Sequence, residues 1–151
     1  FFPSQDTMPK GGFGNLIAMM QVATQPAWQT EKSLRLFASD VFDAVPAAKY
    51  DVIVSNPPYE PSARVNAQAP EFAAEPRMAH DGGRDGLGII RKLLRQARGR
   101  LQPHGILVIE IGGLRAVVER EFAALGPHWL QTEDREDCVV LFQAAQMVAG
   151  V

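Results

Sequence analysis

From about Ser33 onward, short apolar runs alternate with longer amphipathic ones, and this alternation constrains the fold more than any other feature. LRLFAS (34–39), YDVIVS (50–55), ILVIEIG (106–112) and CVVLFQ (138–143) have the length and the aliphatic, β-branched content of strands. Leu87, Ile90, Leu94, Ala97 and Leu101 recur at steps of three and four, one apolar stripe of a helix that Asp85 would cap and QPHG (102–105) would stop. RAVVEREFAAL (115–125) predicts a second helix, and HWLQTE with CVVLFQ a closing antiparallel hairpin around the charged turn EDREDC. Residues 60–83 hold three prolines and two glycines and no sustained period, which reads as a long loop with one helical turn. Strand, long loop, helix, strand, helix, hairpin is the order of an α/β doubly wound sheet, in which YDVIVS is expected to be buried on both faces.

Composition limits the rest. With 151 residues, 46% hydrophobic and 21% charged, one domain with one core is expected. No apolar stretch reaches about 18 residues and no basic-plus-apolar signal segment opens the chain, so neither a membrane span nor export is expected. The single cysteine, Cys138, sits in an apolar run, reads as a small buried residue and fits a reducing, cytoplasmic setting. Three scattered histidines (His80, His104, His128) and one cysteine make no metal site. A formal charge of −2 argues against affinity based on broad phosphate neutralisation, though not against a local basic patch.

The functional signal is NPPY (56–59), directly after YDVIVS. Two prolines remove backbone donors and fix φ, a costly way to leave a buried strand. Ligands in open α/β sheets sit at the carboxyl ends of strands, where this tetrapeptide falls. Asn56 offers an amide oxygen, and Pro57 holds a neighbouring backbone carbonyl in a rigid turn. Together they would accept both hydrogens of another planar –NH₂ group, aim its nitrogen and raise its electron density, with Tyr59 over the flat face. The same residues would also serve as nothing more than a rigid turn.

With the flanking segments added, SDVFDAVPAAKYDVIVSNPPY, EPRMAHDGGRDGLGIIRKLL and GILVIEIG resemble the HemK-type N5-glutamine methyltransferases, a class I S-adenosylmethionine-dependent family. The likeness covers about residues 33–143, and the tail PHWLQTEDREDCVVLFQ is similar to the PrmB branch, which modifies a large-subunit ribosomal protein rather than a release factor. The resemblance implies S-adenosyl-L-methionine as cofactor, with Asp40, Val41 and Phe42 lining its adenine end; Asp40 as a solvated turn acid is the plain alternative. It implies that Asn56, Pro57, Pro58 and Tyr59 form the catalytic clamp, with Asn56 also near the cofactor, and that Glu75 and Pro76 belong to a loop over the substrate. It implies a ribosomal protein as partner and no metal. Asp85 reads as structural, and Glu110 as a residue that shapes the pocket or pairs with a neighbour. The Arg91, Lys92, Arg95 and Arg98 face reads first as a solvated face and second as a ribosomal RNA contact.

The pattern also breaks. The family's first two strands and its glycine loop, which bring backbone close to the cofactor next to a helix N-terminus, have no counterpart here. KGGFGNLIA (10–18) is glycine-rich but follows no strand. Residues 1–32 form an atypical leader, of which the first 21 or so faintly resemble a segment of primase-polymerase-like proteins, and 33–151 read as the C-terminal part of a class I methyltransferase domain. On its own the chain is expected to bind cofactor weakly or not at all. Two rival readings are a DNA adenine-N6 methyltransferase fragment, with the clamp on a flipped base, and a degenerate, non-catalytic domain that binds a partner through its open sheet edge.

Overall fold

The computed structural model describes residues 35–67, 76–132 and 138–147. Their elements run β1 (Tyr50–Ser55), α1 (Ser62–Asn66), a 3₁₀ turn (Arg77–Ala79), α2 (Gly88–Arg98), β2 (Leu101–Glu110), α3 (Arg115–Phe122), a 3₁₀ turn (Ala123–Leu125), β3 (His128–Leu130), β4 (Val139–Gln143) and α4 (Ala144–Met147). The four strands make one open sheet in the order β1-β2-β4-β3. β1 and β2 run parallel, joined through α2, while β4 lies antiparallel between β2 and β3. The mixed α/β sheet and the C-terminal antiparallel hairpin match the sequence reading; EDREDC is largely outside the described residues.

Register explains where the core sits. Ile53 pairs with Leu107, Leu107 with Phe142 and Ile109 with Val140, so these five side chains share one face. All five are buried, against Ile90, Leu93, Leu94 and Ala97 of α2 and Val118 of α3. The apolar stripe read along residues 87–101 therefore packs as expected, with Leu93 added to it. Adjacent Phe122 and Phe142 meet edge to face at 6.5 Å between centroids.

Four expectations are corrected. YDVIVS is not buried on both faces: Ile53 is 7% exposed but Val52 is 53% and Val54 73%, because the described helices cover only the face that Ile53 shares. LRLFAS is no strand over residues 35–39; a strand needs a neighbour for its N–H and C=O groups, and none pairs with this segment among the described residues. QPHG does not separate helix from strand but belongs to β2. Tyr50 pairs with Leu101 and Val52 with Ile106, so Gln102–Gly105 bulge out, which is how Pro103 is tolerated. Cys138 is only partly buried, since it lies just ahead of β4 and not within it, with Thr132 Oγ1 at 3.9 Å.

Candidate functional site

β1 ends at Ser55, opposite Ile109 of β2, and NPPY follows at this carboxyl edge of the sheet. Pro57 is fully buried and fixes the turn, Pro58 and Tyr59 are half-buried, and Asn56 is exposed. The Asn56 side chain makes no hydrogen bond among the described residues, so its amide is available to a ligand.

Glycines seat Tyr59. A Cβ on Gly82 would fall 2.8 Å from the Tyr59 Cα, one on Gly86 would collide with the Tyr59 carbonyl, and one on Gly112 would lie 2.5 Å from the ring's Cε2. Gly86 and Gly112 also have positive φ, +81° and +53°, which a side chain would resist. The loop is closed behind Tyr59 by Glu60, whose N–H donates to the His80 carbonyl at 2.9 Å and whose carbonyl accepts from Gly82 N–H at 2.8 Å. Asp81 ties the same loop together, accepting from the Ser62 hydroxyl at 2.6 Å and from Gly83 N–H at 2.9 Å, beside the Arg77 guanidinium. These bonds, the Ser62 hydroxyl first, lower the Asp81 carboxyl below its ordinary value. From the sequence, neither the glycines of DGGRDGL nor Gly112 stand out as seats for a ring; the IGG step after ILVIEI is the available signal.

Asp85 is structural, though not the N-cap. Leu87 holds that place, and the Asp85 carboxylate instead accepts Leu87 N–H at 3.1 Å and pairs with Arg91 at 2.6 Å. The Arg91 guanidinium, followed by Leu87 N–H, lowers the Asp85 carboxyl to about 2. Arg91 also bridges to Glu121 of α3, which joins the two helices. Lys92 pairs with Asp40 at 2.8 Å and with Asp43. Two members of the basic face are thus engaged within the domain.

Asp40, Val41 and Phe42 form a turn anchored to α2 and to the residues after it. Gln96 accepts the Phe42 N–H at 2.8 Å, Arg100 stacks 5.2 Å over the Phe42 ring, and Phe42 meets Tyr50 at 6.1 Å. Val41 has φ +55°, unusual for a β-branched residue and held by these anchors on either side. The turn sits against the middle and C-terminal half of α2, whereas Tyr59 sits against the loop ahead of its N-terminus. Pro76 caps the Arg77–Ala79 turn and lines a groove of about 660 Å³ with Ser62, Met78 and Ile89. Glu75 and residues 1–32 lie outside the described residues.

Glu110 shapes its surroundings through its own chain: Oε1 accepts Gly112 N–H at 2.9 Å. As a cofactor cradle the described residues do not suffice. The Phe42 N–H and the Asp40 carboxylate already have partners, and the closest-approach glycines face Tyr59 rather than open space.

An open four-stranded α/β sheet with a polar, proline-locked turn at its carboxyl edge is consistent with a methyltransferase fold, and the family model "methyltransferase small domain" matches residues 15–79. That match begins inside the stretch set apart as a leader. More particularly, the chain is 42% identical over 114 residues, 76% of its length, to the ribosomal protein uL3 glutamine methyltransferase of Bordetella pertussis, of which this covers 38%. It is 40% identical over 117 residues to that of Bradyrhizobium diazoefficiens (78% of this chain, 37% of the other), and 42% over 104 residues to that of Burkholderia pseudomallei (69% and 34%). The chain spans less than two fifths of these curated relatives. Together the matches support a HemK/PrmB-type methyltransferase, a class that implies use of S-adenosylmethionine. No helix among the described residues is long and apolar enough to cross a membrane.

Proposed function

We propose that this chain is the substrate-clamping part of a protein N5-glutamine methyltransferase, acting on a ribosomal protein of the large subunit. The observation that carries the reading is the unengaged, exposed amide of Asn56 beside the buried Pro57 and the glycine-seated Tyr59. S-adenosylmethionine would supply the methyl group. The chain's own residues bind and orient the other reactant. The Asn56 side-chain oxygen and the Pro57 carbonyl accept the two N–H groups of the substrate glutamine's amide. This draws density onto nitrogen and points it along one line. Pro58 keeps the turn stiff, and Tyr59 packs on the amide plane. A methylated amide nitrogen would give its surplus proton to solvent, so the clamp would need no strong general base.

Asp40, Val41 and Phe42 would reach the adenine end only with segments that complete the cofactor site. Residues 33–151 are then the C-terminal part of a methyltransferase domain, 1–32 an atypical leader, and the isolated chain inactive. Glu75 and Pro76 would cover the substrate, beside the groove that Pro76 lines. A ribosomal RNA contact through α2 would fall to Arg95, which is exposed, since Arg91 and Lys92 are already paired. Those pairings and the net charge of −2 leave little positive surface for duplex DNA, so the DNA adenine reading is not favoured.

The test is a version extended to the length of the relatives, offered ribosomal protein, release factor and duplex DNA. Methylation of a glutamine in the ribosomal protein, read by mass spectrometry, is the expected result. Transfer to DNA alone would overturn the reading.

A further inference from the structure

Glu110 ends β2 at the same edge of the sheet as NPPY: Ser55, the last residue of β1, pairs with Ile109, so Asn56 follows β1 where Glu110 closes β2. One carboxylate oxygen, Oε1, accepts the N–H of Gly112 at 2.9 Å. Gly112 is held at φ +53°, and the Tyr59 ring lies on it, with a Cβ there only 2.5 Å from Cε2, 2.9 Å from Cζ and 3.2 Å from the hydroxyl. The other carboxylate oxygen, Oε2, is shielded from solvent and has no hydrogen-bond partner. A shielded carboxylate oxygen without a donor works against stability. Stability alone therefore does not account for the side chain. Its Oε1 bond to the turn under Tyr59 does.

We infer that Glu110 is a positioning residue for Tyr59: by gripping the Gly112 N–H it fixes the left-handed turn on which the aromatic ring is seated. What that position does for a glutamine amide rests on the function proposed above, but the seating itself does not.

Tyr50 and Tyr59 are the chain's only tyrosines, so labelling with fluorotyrosine gives one fluorine NMR resonance for each. Glu110→Met keeps the side-chain length while removing both the acceptor and the unpartnered oxygen. Glu110→Gln keeps an oxygen that can accept from Gly112. The expected result is loss of the Tyr59 resonance from its wild-type position in Glu110→Met, with Tyr50 unmoved, and both resonances retained in Glu110→Gln. The inference is overturned if Tyr59 stays in place in Glu110→Met, if Glu110→Gln displaces it as far, or if Tyr50 moves with it. No substrate is present in this measurement, so its failure is distinct from failure of the glutamine reading.

Discussion

The ring of Tyr59 rests on the α-carbon of Gly112, so closely that a Cβ at position 112 would lie 2.5 Å from Cε2. Neighbouring Gly113 faces nothing within 4 Å. Gly112→Ala meets both a strained φ and an overpacked ring, together about 2–4 kcal/mol of destabilisation. Gly113→Ala should stay within about 0.5 kcal/mol of wild type. Denaturant midpoints for the two variants measure the difference, and equal losses would mean that Tyr59 is not seated there.

The first residue of the turn after β1 should matter for chemistry and not for folding. Asn56 is exposed and its side chain makes no hydrogen bond among the described residues, so Asn56→Ala should change stability by no more than about 0.5 kcal/mol. In the extended version, the same variant should lose glutamine methylation. A variant that keeps methylation would remove Asn56 from the clamp.

Sheet burial on one face gives a sharp contrast between adjacent residues. Ile53 is 7% exposed and Val54 73%. Ile53→Ala should cost about 2–5 kcal/mol. Val54→Ala should cost under about 0.5 kcal/mol. Comparable losses in urea unfolding would show that something covers the Val54 face.

Acid should weaken the link between α2 and the loop before it. The Asp85 carboxyl is lowered from 3.8 to about 2, first by the Arg91 guanidinium and then by Leu87 N–H. A carboxyl with a lower value in the folded state contributes stability that is complete above its unfolded value and is lost as pH falls through the folded one. The window is therefore from about pH 4 down to about pH 2. Asp81 is shifted in the same direction by Ser62, and Asp43 by Lys92. Asp85→Asn should be less stable than wild type by under about 1 kcal/mol at neutral pH, since the Arg91 pair is at the surface. It should also lose less on acidification, measured as denaturant midpoints at about pH 6 and about pH 2.5.

Periodicity made much of this fold legible. The spacing Ile90, Leu94, Ala97 placed the buried side of α2, and two apolar runs around a charged turn placed β3 and β4. What it could not convey was set by neighbours distant in the chain. Residues 35–39 have strand-like composition, yet a strand exists only with a pairing partner. Val52 and Val54 look like core residues, yet burial depends on which face the helices cover. At the site, NPPY stood out because proline after a strand is costly. Gly112 and Gln96 did not, because their roles arise from contacts with Tyr59 and Phe42, and Glu110 stood out without the Gly112 N–H that it holds.

In the proposed function, Asn56, with Pro57, Pro58 and Tyr59, takes a glutamine side-chain amide. The side-chain NH₂ signal of Asn56 in a nitrogen-labelled sample reports on it directly. The chain is titrated to about millimolar concentration with a short peptide containing glutamine, then with its glutamate counterpart. The Asn56 signal should move with the glutamine peptide and stay in place with glutamate, which lacks the two N–H donors. An Asn56 signal that ignores both peptides, or follows both equally, would contradict it.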